Sequence, residues 1–428
     1  MVNGVPRAPV VPDQVNTLVT VLDLVRSGEA RTRPELGRRT GLGRTAITQR
    51  VDQLVGSGLV DEGTMGASTG GRAPRELRYR AEAGHILAAE LGATSLSVGL
   101  TDLAGHLADH HEEPWDVAVG ADTTLTRVEE LFDDLLARRP EPAPAIWGIG
   151  IGVPGPVEFA SGRPASPPIM PGWDGYPVRD RLAARYGAPV WVDNEVNMMA
   201  LGELRGGLAQ GVRDLVYIKI GTGIGAGLVS RGRLHRGANG CAGDVGHVQV
   251  VDDARIICRC GNVGCLEALA GGAALAGAAA VPAADGRSRF LEDLAKTGKR
   301  LDARDVARAA SHGDPTAIEL MTNAGHFIGE MLATLVNFAN PSHIIIGGGV
   351  AASNDLLLST IRKVVYSRSL PLATRDLQII RTQNDRAGLR GAGFMVVDEL
   401  FAPERLASWI DDGSPAGQPM LVGIKTAD

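Results

Sequence analysis

"DLVYIKIGTGIGAGLVSRGRLH", Asp214 to His235, reads as two strands joined by a glycine-rich tip. Glycines at a strand end let a backbone approach a ligand closely and aim N–H groups at phosphate oxygens. One such tip is weak evidence, because glycines also make tight hairpins. Two more strand ends carry the same signal, one after Glu90 in "ELGAT" and one at Gly347–Gly349. Around them the chain alternates strands with helices. "ILAAELGATSLSVGLTDLAGHLA" (86–108) reads as two strands joined by a tight glycine turn, and "AIWGIGIGVPGPV" (145–157) as a buried strand entering a Gly/Pro loop. "APVWVDNEVNMMALGEL" (188–204) reads as a strand, a polar turn and a helix, and "NFANPSHIIIGGGVAAS" (337–353) as a further buried strand behind a long amphipathic helix. Alternation of this kind predicts an α/β architecture.

The first 80 residues differ in kind. "VNTLVTVLDLVR" (15–26) spaces its apolar residues for a one-sided helix. "TRPE" announces a second helix, with Thr32 as cap, Pro34 in the first turn and Glu35 reaching back. "GLG" (41–43) then turns into a third helix from about Arg44 to Val55. A short strand from Leu59, the basic glycine-rich loop "GTMGASTGGRAPR" and the return strand "ELRYR" complete a winged helix-turn-helix. Its third helix offers Arg44, Thr45, Thr48, Gln49 and Arg50 to a major groove, where Arg and Gln suit guanine and adenine edges. Arg72 and Arg75 in the wing are placed for phosphates or a minor groove. A helical protein-interaction module with solvated arginines would carry the same composition.

Charge follows this division. Residues 1–80 hold 12 Arg, no Lys and 8 acidic residues, against 31 basic and 41 acidic in the remainder. A basic module on an acidic body points to nucleic acid bound at one end. No apolar run is strong enough for a signal peptide or a membrane span, so a cytoplasmic protein without membrane partners is expected. In that compartment the three clustered cysteines of "GHVQVVDDARIICRCGNVGCLE" (246–267) point to metal ahead of disulfides.

The ordered motifs "ELGAT", "GVPGPV", "PGWDG", "VDNEVNMMALGE", "GTGIGAG", "GDVGH", "CRCGNVGCLE" and "GGG" resemble the ROK family of bacterial sugar kinases and sugar-responsive repressors, from about residue 86 to 400. The winged helix in front resembles the NagC/XylR-type repressor branch. The resemblance implies a winged helix-turn-helix at 1–80, an actin-like two-lobed fold at 86–400 with a sugar in the cleft, a tail at 401–428, and a homodimer or dimer of dimers. By motif it implies a sugar pocket of Asn194, Glu195, Asp244, His247 and Glu267. Carboxylates and an amide bracket ring hydroxyls as donors and acceptors. Pro154, Gly155 and the loop around Trp173 are expected to shape the pocket, with packing an equal reading for Trp173 itself.

In the family's kinases the position of Glu195 is an Asp that takes the sugar hydroxyl proton. Glu carries the carboxylate about 1.5 Å further, and misplacement near 1 Å can cost roughly 10²-fold in rate. Two more departures are Glu90 in Glu90-Leu91-Gly92-Ala93-Thr94, where the family has Asp, and Asp244, where the kinases have Glu. All three keep polarity and alter reach, which fits a pocket kept for sensing, with Glu195 a vestigial base. In the nucleotide half, Gly92, Thr94, Gly221, Thr222, Gly223 and Gly225 are the candidates for phosphates and Gly347, Gly348 and Gly349 for adenosine. ATP and Mg²⁺ are cofactors only if kinase activity survives. His247, Cys258, Cys260 and Cys265 form a Cys₃His set with no open position, as in a closed structural zinc site and unlike a hydrolytic one. Cys241 is expected to be a small buried side chain.

The sequence thus leads to a sugar-responsive DNA-binding repressor, with operator DNA and a sugar or sugar phosphate as partners. The rival is an ATP-dependent, glucokinase-like sugar kinase.

Overall fold

The computed structural model describes residues 13–65, 75–139, 145–353 and 355–423. Helices α1 (Asp13–Arg26), α2 (Arg33–Thr40) and α3 (Arg44–Gly56) are followed by antiparallel β1 (Val60–Met65) and β2 (Arg75–Tyr79). Thr32 caps α2 by accepting from the Glu35 N–H, Glu35 accepts from the Arg31 N–H at 2.8 Å, and Gly41 closes the helix at φ 73°. That positive φ is cheap for glycine, and it turns the chain into α3.

The body contains two sheets of five strands each. The first holds β3 (His85–Leu91), β4 (Ser95–Asp102), β5 (Leu107–Pro114), then, after α4 (Ala121–Ala137), β6 (Ile146–Val153). The small hairpin β7 (Val157–Glu158) and β8 (Arg163–Pro164) and helix α5 (Val178–Tyr186) lead to its last strand, β9 (Val190–Asn194). Helix α6 (Glu195–Gly206) crosses to the second sheet: β10 (Leu215–Ile220), β11 (Ile224–Ser230) and β12 (Arg233–His235). Helices α7 (Leu266–Ala270), α8 (Gly272–Ala284), α9 (Arg289–Lys296), α10 (Ala303–Ser311) and α11 (Pro315–Ala339) precede β13 (His343–Gly347). Then come α12 (Gly349–Ala352), α13 (Asp355–Arg368), α14 (Pro371–Thr374), β14 (Gln378–Arg381), α15 (Ala387–Leu400) and α16 (Pro403–Trp409).

The sheet orders are β5-β4-β3-β6-β9 and β12-β11-β10-β13-β14. Each is an antiparallel meander whose first strand pairs in parallel with a later strand, which in turn pairs in parallel with the last. One topology used twice gives the two lobes of an actin-like fold. Where two strands were expected at 86–108 the structure has a meander that continues through β5. The extra strand "LADHHEEP" is polar because it lies at the sheet edge, and so it lacks the alternation that marks a half-buried strand.

Helices α6 and α15 cross between the lobes at backbone contact. A Cβ on Gly202 would lie 2.0 Å from the Ala387 carbonyl oxygen, and one on Gly391 1.7 Å from that of Met198. Only glycine permits so close a crossing.

Within the 401–428 tail, residues from Phe401 to Leu421 include side chains buried against the body. Residues 403–412 are helical, and Trp409 is fully buried with its indole N–H donating to the Leu400 carbonyl at 3.0 Å. Its ring meets Trp147 edge-on, with centroids 5.3 Å apart. The segment reaches the winged helix: Gln53 donates to Asp411 at 3.0 Å, and Arg26 lies over the Phe401 ring. One apolar cluster therefore runs from Leu18 and Leu22 of α1 through Trp147, Leu406 and Trp409 to Met198 of α6.

Candidate functional site

The cleft is built from strand ends. β9 runs into Asn194, which caps α6 by accepting from the Val196 N–H at 2.8 Å while its amide donates to the Gly155 carbonyl at 3.0 Å. Glu195, the first residue of α6, is buried, and its Oε2 receives the Lys219 ammonium at 2.5 Å. Glu90 lies at the end of β3. Burial pushes its carboxyl up to about 7, with Lys219 pulling it down and Glu195 and Glu112 pushing it further up. Two carboxylates that follow strands of the first sheet thus act on one ammonium of the second.

Beneath it Asp193 is buried and fully engaged. It accepts from the Asn197 amide at 2.8 Å and the Arg236 guanidinium at 2.7 Å, and Arg236 stacks on Phe159 at 3.8 Å. Sequence reasoning did not single out Asp193, Arg236 or Lys219. Lys219 had a readable signal, being the one charge in the apolar strand "LVYIKI" (215–220) beside a glycine tip.

Two of the glycine loops adjoin, at the ends of the paired strands β10 and β13. The 221–223 tip is held by N–H groups at the start of α8: Gly272 donates to the Gly221 carbonyl at 2.8 Å and Ala273 to that of Thr222 at 3.0 Å. A Cβ on Gly223 would lie 2.2 Å from Glu267 Oε2. Gly348 has φ 93°, and a Cβ there would meet the Ile220 carbonyl at 2.4 Å. Beside Gly349 stands Arg304, which lines a hollow of about 430 Å³ with Lys299, Asp302, Arg308 and Ser353. Gly92 faces Ser95 and Glu195, and Thr94 stands in the same loop, where its carbonyl accepts from the Trp115 N–H at 3.2 Å. Gly225 lies on Val196. Trp173 is fully buried and packs near Tyr176, so it is a core residue beneath its loop.

His247, Cys258, Cys260 and Cys265 present ligand atoms that all lie within 4.8 Å of one another. His247 Nδ1 is 3.5 Å from Cys258 Sγ, and Cys260 Sγ is 3.8 Å from Cys265 Sγ. A tetrahedron around an ion with metal–sulfur bonds of about 2.3 Å has edges of about 3.8 Å, so the donor set fits a four-coordinate metal. Tight turns close the loop: Cys258 N–H donates to the Asn262 carbonyl at 2.8 Å and Gly261 adopts φ 91°. Burial and the neighbouring thiols push Cys265 up to about 12.

The metal loop leads back to the cleft at two points. His247 turns Nδ1 to Cys258 and Nε2 to Asp244, 3.9 Å away. Glu267, two residues past Cys265, accepts from the Ile224 N–H at 3.0 Å and so ties the loop to the 221–223 tip. Cys241 is exposed, which corrects the expectation of a buried side chain; the loop needs no fifth ligand, and Cys241 stands outside the four-residue set.

At the other end of the chain Arg44, Thr45, Thr48 and Gln49 are exposed on one face of α3. Arg50 is only part-exposed and donates to Thr17 Oγ1 at 3.2 Å, so here it braces α3 against α1. Arg75 is exposed at the wing base, 3.5 Å from Glu62. Arg72 lies outside the described residues.

Residues 86–399 match the ROK family. The chain belongs to the ROK family. It is 31% identical over 397 residues to the xylose repressor of Caldicellulosiruptor bescii, covering 91% of this chain and 97% of that protein. The crystal structure of a ROK family transcriptional regulator, a homologue of the Escherichia coli MLC protein, superposes with TM-score 0.79 at 26% identity, over 93% of this chain and 99% of that one. A ROK family glucokinase from Streptomyces griseus, in complex with glucose and AMPPNP, gives TM-score 0.65 at 28% identity, over 73% of this chain and 99% of the enzyme. Among the described residues no helix of this ROK chain is long and apolar enough to cross a membrane.

Proposed function

We propose that this ROK protein is a sugar-responsive transcriptional repressor. Its winged helix binds operator DNA through Arg44, Thr45, Thr48 and Gln49 of α3, together with Arg72 and Arg75. Its cleft takes a sugar through Asn194, Glu195, Asp244, His247 and Glu267. The observation that carries this reading is the winged helix itself, packed into one apolar cluster with the sensor lobes. The repressor relative spans nearly the whole chain and the glucokinase about three quarters of it, a difference of the winged helix's own size.

The lobes are the two-state element. A sugar shifts their equilibrium only by binding one arrangement better, and coupling of about 1–3 kcal/mol is typical of such systems. The joint of residues 403–412 with α1 and α3 gives the shift a route to the DNA face. Zinc suits the three thiolates and one imidazole: it takes four such ligands in closed structural sites and would fix the loop carrying His247 and Glu267. Dimerisation through the ROK lobes would set the two winged helices on a two-fold operator.

Operator selection followed by binding at low salt tests the reading, since phosphate contacts weaken steeply with salt. Sequence-specific binding that changes at least fivefold with one sugar of a panel is expected. Absence of specific binding at 50 mM salt would overturn it.

A further inference from the structure

The Lys219–Glu195 pair has no part in binding DNA or metal, and neither side chain reaches solvent freely, at 18% and 8% exposure. Its position is unusual. A Cβ on Gly92 would lie 3.8 Å from Glu195 Oε2, and a Cβ on Gly221 would lie 3.4 Å from Lys219 Cε. The carboxylate therefore stands in front of the first glycine loop and the ammonium beside the second. Those are the two places where a phosphate and the cation that neutralises it would sit if the loops held a nucleotide. The extra methylene of Glu195 is what carries the carboxylate that far.

We propose that the Glu195–Lys219 ion pair is a resident substitute for a phosphate and its metal ion, which makes the cleft a site for an uncharged polyol and closes it to phosphorylated ligands. This inference rests on the sugar-sensing reading and names the effector class within it. A phosphate that entered would have to take Lys219 away from Glu195 and leave a buried carboxylate without its counter-ion, which is strongly unfavourable. The remaining charges do not help it. Glu90 and Glu267 face the same loops, and Arg236 is engaged by Asp193. Arg304 belongs to the third loop, in a hollow it shares with Asp302 and Asp305. An uncharged sugar asks for none of this rearrangement, because a hydroxyl can donate to Glu195 while Lys219 stays in place.

Calorimetric titration of the full chain with MgATP, with glucose 6-phosphate and with inorganic pyrophosphate reads the effect directly. Wild type is expected to bind none of the three at millimolar concentration. Glu195→Ala, which leaves Lys219 free beside the loops, should bind at least one at least tenfold more tightly. Glu195→Gln, isosteric and gentler on the fold, should gain in the same direction, and Lys219→Met should gain nothing. Sub-millimolar binding of any of these anions to wild type would overturn the proposal, as would folded Glu195→Ala and Glu195→Gln proteins with no gain. Operator binding by the same wild-type preparation is scored separately, so loss of the repressor reading and loss of the anion-exclusion reading are distinguishable.

Discussion

Glu90 shows how one side chain sets a pH response. Its carboxyl titrates near 7 in the folded chain, chiefly through burial, against an ordinary value of 4.5. The folded state therefore holds a proton that the unfolded state has released between those two values. Stability from this group is present at pH 4.5 and below and is lost as pH rises toward 7. The difference amounts to at most about 3 kcal/mol. Glu90→Gln should remove that slope and raise stability at pH 8 relative to wild type, as read by chemical unfolding at pH 5, 6, 7 and 8. An unchanged slope would mean that Glu90 is not the titrating group. On the DNA face, Gln49→Ala and Arg44→Ala should each weaken specific operator binding by about 1–3 kcal/mol, the usual worth of a base contact. Arg50→Ala should act through fold stability, because its guanidinium is spent on Thr17. Fluorescence anisotropy with cognate and scrambled duplexes separates the two effects.

Among the elements, the metal loop has the furthest reach for its length. It fixes no large core, yet Glu267 and His247 bring its ends to the 221–223 glycine tip and to Asp244. Cys260→Ser should lose the metal, lower the melting temperature and weaken the sugar response of DNA binding together. A variant that loses metal but answers sugar normally would separate the two roles. Metal uptake by the stripped protein should release protons, because the Cys265 thiol is protonated at neutral pH without an ion. A weakly buffered titration with an indicator dye measures this. The loop was legible in advance because cysteine spacing is a strong signal. The glycine tips were legible too, and Gly348, at φ 93° against the Ile220 backbone, stands where no other residue fits. Strand β5 was not, because an edge strand rich in His and Glu lacks the pattern by which strands are read. The Lys219–Glu195 contact was also out of reach, because it joins two residues whose proximity only the packing of β10 on α6 creates.

At the scale of the whole molecule, the joint between DNA module and sensor is made by the last helix. The stretch 401–411 around this helix is short, and it contacts residues as distant as Arg26, Gln53 and Trp147, so nothing local announced it. Trp409→Ala removes a fully buried indole and should cost about 3–5 kcal/mol of stability. If the joint carries the signal, the surviving protein should still bind operator but respond less to sugar, a comparison made by anisotropy with and without effector. Full sugar response in that variant would move the route elsewhere. The position of this helix also matters for the order of manufacture. The winged helix leaves the ribosome first, and the helix that docks it follows more than three hundred residues later. At roughly 5–20 residues per second, each nascent chain spends on the order of tens of seconds with its DNA reader made and its restraint still unmade. In a cell that couples transcription to translation, a newborn repressor meets nearby DNA before it has any means of asking whether sugar is present.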